Sequence, residues 1–167
     1  MDRMIEKLIE VLRKTESCYD GMMAIIAQEK AAALRSNLTL LTSAHDEKQR
    51  MLSQLDSLEQ QRAQLMRDIA ASLQLPVEIL TLSSLAAQVT APYDRKLALR
   101  KDALNSVLRK VQHANEECCR IVEHCLKLVQ NTLGFFSHWT QRSQVYCPSG
   151  DIYAGADTGG RLLSGNI

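Results

Sequence analysis

From Pro92 to about Ser137 the chain runs without another proline, and apolar residues recur along it at helical spacing. Leu97, Leu104, Leu108, Val111, Asn115, Cys118, Val122, Cys125, Val129 and Phe136 follow intervals of three, four or their sum, a heptad-like seam. Pro92 suits the first turn of such a helix, because its missing N–H would be unpaired there anyway. At ~1.5 Å per residue this helix would be ~70 Å long. A 167-residue chain cannot wrap a helix of that length in a compact globule. It must lie along other helices of similar length.

Two earlier tracts supply them. Met4, Leu8, Val11, Thr15, Cys18, Met22 and Ile25 alternate at fours and threes, and the pattern fades near Ser36 and Asn37, which suit a turn or cap. Met51, Leu55, Leu58, Leu65 and Ile69 then share one face, with Arg62 the polar exception. That tract ends before Pro76, since the residue ahead of proline is biased away from helical geometry. Residues 76 to 91 form a connector in which Thr81 can cap a short helix. The expected fold is all-α: an elongated antiparallel helical hairpin or three-helix coiled-coil-like bundle with a flexible C-terminal tail. Helices are expected at about 2–35, 38–74, 82–90 and 92–138. Residues 1–140 would form a single domain, and 141–167 the tail, because five of the seven glycines lie beyond residue 145.

Composition fits this plan and removes several function classes. Aromatic residues make up only 4% of the chain, which long helices built from Leu, Ile, Val, Met and Ala tolerate better than a globular core does. Lys plus Arg is 20 and Asp plus Glu is 19, so no basic excess points to nucleic acid. No apolar run approaches the ~20 residues of a membrane span. The charged N-terminus, MDRMIEKLIEVLRK, lacks a signal-peptide core, so a cytoplasmic location is expected. Five cysteines without framework spacing fit reduced thiols there.

The stretch NEECCRIVEHCLKLV, residues 115 to 129, tests whether those thiols do chemistry. Cys118 and Cys125 share the seam, but two helical turns separate them by ~10 Å, too far for ligands that each sit ~2.3 Å from one zinc ion. Cys119 points roughly 100° away from Cys118. His113 and Glu117 have i, i+4 spacing but no third ligand, so no metal or cofactor is expected. Nor is there a glycine-rich phosphate loop, an HExxH pair or a nucleophile elbow. His45, His113, His124 and His138 are isolated on helical tracts. Enzyme chemistry and a thiol switch rank behind an interface, because free cysteine behaves as a small hydrophobe between helices.

What lies beside the seam is more telling. Val107, Ala114, Ile121, Leu128 and Phe135 repeat every seven residues on one flank. On the other, Asn105 and Gln112 give way to Cys119, Leu126 and Leu133, while Glu116, Glu117, Arg120, Glu123 and Lys127 form the solvated side. The apolar face therefore widens towards the C-terminus, and a wide stripe must be covered internally or by another helix. Asn115 on the seam either sets register within the bundle or contacts a partner.

In their order along the chain these features resemble the FlgN family of flagellar export chaperones. The likeness rests on Glu47-Lys48, on LDSLEQQR at 55–62, on TLSSLAA at 81–87 and on VYCPSG at 145–150. It also rests on a pattern similar to Asn-x-x-Asn-x-x-aliphatic-aliphatic, carried by Asn115, Ile121 and Val122, with Cys118 replacing the second Asn. The resemblance implies a cytoplasmic chaperone for hook-associated, hook–filament junction proteins, held by their C-terminal helical segments. The partner-binding residues it implies, together with the widened stripe, are Asn115, Cys118, Ile121, Val122, Leu126, Leu128, Val129, Leu133, Phe135 and Tyr146. Tyr146 is also the candidate for docking at the flagellar export gate. The competing expectation is a structural coiled-coil or oligomerisation module whose stripe is buried by a second copy.

Overall fold

The computed structural model describes residues 1–76 and 79–141, with side chains through Ser137, and the backbone of 145–146 and 152–153. It is an all-α chain of four helices: α1 (Asp2–Leu34), α2 (Leu38–Leu73), α3 (Leu82–Gln88) and α4 (Tyr93–Gln141). One short antiparallel pairing joins β1 (Val145–Tyr146) to β2 (Ile152–Tyr153), with Val145 opposite Tyr153 and Tyr146 opposite Ile152. Two residues per strand are too few for any alternation to register in the sequence. The rest of the expected glycine-rich flexible tail lies outside the described residues. The chain divides into two compact units, Met1–Cys125 and Leu126–Ile167.

In the first unit α1 and α2 form an antiparallel pair joined by a very short turn. Ser36 takes a left-handed conformation with φ 51°. The Ser36 N–H then donates to Ala33 O, and the Asn37 N–H to Ala32 O, the two bonds of a Schellman ending. Asn37 also opens α2, where its side-chain oxygen accepts from the Leu40 N–H at 3.0 Å. One residue thus closes one helix and caps the next. Gln74 ends α2 in the same way at φ 56°, with Leu75 N–H donating to Ala70 O, and Pro76 follows. Thr81 caps α3 in a reciprocal box: its hydroxyl accepts from Ser84 N–H at 3.1 Å, and the Ser84 hydroxyl accepts from Thr81 N–H at 2.8 Å.

Small residues let α1 and α2 approach closely. A Cβ on Gly21 would sit 3.0 Å from Met51 Cε, and Ala32, Ala33, Ala44 and Ala70 are buried. Towards one end the core gathers Ile5, Leu8 and Leu12 of α1, Met66, Ile69 and Ala70 of α2, Leu85 of α3 and Leu97 of α4. Further along, Cys18, Met22 and Ile26 meet Leu55 and Cys118. Leu8, Val11, Cys18, Met22 and Ile25 of the expected α1 seam are buried; Ile5, Leu12 and Ile26 were not on it. A narrow seam suits one neighbour, whereas α1 packs against both α2 and α4 and needs a stripe wider than 100°. Arg62, the polar exception of α2, turns back to hold Glu59.

Polar contacts show that α4 runs parallel to α1 in this unit. The Tyr93 hydroxyl donates to Glu6 at 3.0 Å, Arg100 pairs with Glu16 at 2.8 Å, and Lys30 pairs with Glu117 at 2.6 Å. Exposed or part-exposed pairs of this kind contribute little energy each, but their order along both helices fixes direction.

A candidate partner-binding face on the fourth helix

In the first unit the seam of α4 is spent on the protein's own core. Leu97, Val107 and Cys118 are buried, and Val111, Ala114 and Val122 pack beside Cys18 and Met22. Val107 and Ala114, placed on the flank by their spacing, therefore belong to the interior. Ile121 is half-buried. The Cys125 thiol donates weakly to Ala33 O at 3.8 Å.

Asn115 has a definite task. Lys48 Nζ donates to Asn115 Oδ1 at 2.8 Å and to Glu29 Oε2 at 2.7 Å, so one ammonium ties α1, α2 and α4 together. The Lys48 and Glu29 side chains are mostly buried, which makes their mutual satisfaction matter more than in a surface pair. Asn115 is thus hydrogen-bonded within the bundle at its seam position. Lys48 and Asn115, from two separate motifs of the sequence, touch each other. Cys118 lies next to this group, and burial, reinforced by the Glu29 carboxylate, pushes its thiol up to about 11. Lys30, hydrogen-bonded to Glu117, holds that carboxyl below its ordinary range.

In the second unit the same helix presents a different surface. Leu126, Leu128, Val129, Leu133, Phe135 and Phe136 are each between 53% and 68% exposed. Lys127 is the one ionic residue between 126 and 137. Large apolar side chains exposed in such number mark interaction sites. Phe135 and Phe136 meet edge to face, 6.1 Å between centroids. At Gly134 nothing lies within 4 Å of where a Cβ would stand.

The ten residues expected to bind a partner therefore fall into three groups. Asn115, Cys118, Ile121 and Val122 are in the first unit, engaged in or beside its core. Leu126, Leu128, Val129, Leu133 and Phe135 are exposed and spread over about half the circumference of the last turns of α4, a wide apolar strip. Tyr146 lies in β1 with its backbone opposite Ile152, and its side chain is outside the described residues. Phe136, assigned to the seam by its spacing, belongs with the strip. Its signal was the loss of charge around it, not its heptad position. Among the histidines, His45, His113 and His124 are exposed. No helix among the described residues is long and apolar enough to cross a membrane.

The family model described as FlgN protein matches residues 1–153. Neither a curated protein nor a solved structure matched the chain.

Proposed function

The chain belongs to the FlgN family, a family of flagellar export chaperones, and from that membership we propose that its clients are hook-associated, hook–filament junction proteins. It holds them by their C-terminal helical segments before export and keeps them soluble. The observation that carries this reading is the exposed strip from Leu126 to Phe136. An amphipathic client helix lays its apolar face along that strip in a helix-in-groove mode, with alternate turns supplying anchors. Each large side chain fully buried in this way contributes roughly 1.5–3 kcal/mol. The mechanism needs no catalysis and no cofactor. The chaperone domain of this proposal runs over 1–140, and the segment 141–167 offers Tyr146 to the export gate.

Asn115, Cys118, Ile121 and Val122 enter the proposal differently from the strip. Their contacts are already made at rest, so they act by holding α4 in register rather than by reaching the client first. A full-chain titration with the C-terminal helical segment of a hook-associated protein should give saturable binding. Tagged protein recovered from its native cytoplasm should bring such proteins with it. A chain that self-associates through the strip and shows no affinity for these segments would instead be a structural coiled-coil module.

A further inference from the structure

A furrow runs along the line where α1 and α2 meet, lined among the described residues by those two helices. Two openings of about 630 and 490 Å³ share Lys14 and Gln61, and together they run from Arg3 to Cys18 on α1 and from Leu65 back to Met51 on α2. Its floor is apolar, with Val11, Cys18, Leu58 and Leu65.

The two rims differ in charge. The α1 rim carries Arg3, Lys7 and Lys14, spaced by four and seven residues and therefore on one face. Among the described residues none of these three cations pairs with a carboxylate. The two carboxylates on that rim already have partners: Glu10 holds Arg13 and also feels the Lys14 charge, and Glu6 accepts from the Tyr93 hydroxyl. The α2 rim, with Gln54, Ser57, Gln61 and Gln64, is neutral. Three cations against two carboxylates leave this rim net positive beside an apolar floor and facing an uncharged rim, and that defines what fits.

The geometry points to this furrow as a docking site for an amphipathic helix with an acidic flank, carried by a partner protein. Its apolar stripe would lie on Val11, Leu58 and Leu65, and its carboxylates over Lys7 and Lys14. The span from Arg3 to Cys18 is roughly 22 Å, about four helical turns. This site is separate from the strip on α4, and it stands or falls independently of the client.

The test uses two synthetic helices of about sixteen residues, each with a leucine stripe, one with a glutamate flank and the other with a lysine flank. Titrated into the full ¹⁵N-labelled chain, the glutamate helix should shift amides of Arg3–Cys18 and Met51–Leu65, less so as salt rises. The lysine helix should not. The double variant Lys7→Glu/Lys14→Glu changes only exposed side chains and should keep its helicity. It should bind the glutamate helix about tenfold or more weakly and gain affinity for the lysine helix. Equal binding of both helices, or shifts confined to residues 126–136, would overturn the proposal. So would self-association through these same residues, which would make the occupant a second copy.

Discussion

Lys48 makes two hydrogen bonds at once, so its removal and its replacement have different consequences. Lys48→Ala leaves Glu29 mostly buried without its cation and Asn115 without its donor. The expected loss is about 1–3 kcal/mol, read as a lower midpoint in a urea titration followed by circular dichroism. Replacing Lys48 and Glu29 together by methionine should recover part of it, because no unpaired charge then remains. Neighbouring thiols give a second residue-level prediction. Cys119 is exposed and Cys118 is buried with its thiol raised from 9.0 to about 11. At pH 8 that leaves Cys118 about one part in a thousand thiolate. Iodoacetamide should therefore modify Cys119 in the native protein and Cys118 only after unfolding. The folded state holds the Cys118 proton more tightly than the unfolded chain does. Its contribution is thus fully present below about pH 9 and is lost as the pH rises through about 11, so a melting curve should shift down across that window.

Helix ends and helix faces differed in how openly the sequence displayed them. Asn37 and Thr81 could be placed as caps because a cap is chosen by local chemistry, a side-chain oxygen within reach of the next turn's N–H. The left-handed turns at Ser36 and Gln74 were less open to view, since the usual glycine is absent and tertiary packing holds a less favoured residue there. Asn37→Ala should cost about 1 kcal/mol. Ser36→Gly should add roughly 0.5–1 kcal/mol by relieving the left-handed strain; both are measurable as shifts in thermal midpoint. On the faces, heptad spacing found Leu8, Met22, Leu55, Leu97 and Cys118 but missed Ile5, Leu12 and Ile26. The pattern describes one contact line per helix, whereas α1 meets two neighbours. It also could not say where along α4 the core ends: Val107 and Leu128 stand at equivalent heptad positions, yet one is buried and the other exposed. Only the tertiary structure separates them.

For the molecule as a whole, we propose that residues 126 to 136 are kept apolar for a client and not for the protein's own stability. The order of weak motifs along the chain made the family legible, because each motif is short but their sequence is hard to reproduce by chance. The strip was legible only as a widening of the apolar face, and its extent came from exposure. Two substitutions of the same kind on the same helix separate client binding from stability. Leu97→Asp places an unpaired charge among Leu8, Ile69 and Leu85 and should unfold the protein or lower its midpoint steeply. Leu128→Asp alters a side chain that is 53% exposed, and should leave helicity and cooperative melting unchanged. Calorimetric titration of the Leu128→Asp chain with the C-terminal helical segment of a hook-associated protein is the most direct measurement. The expected result is a loss of about 2 kcal/mol or more, roughly thirtyfold in Kd. Unchanged affinity in a fully folded Leu128→Asp chain would contradict it.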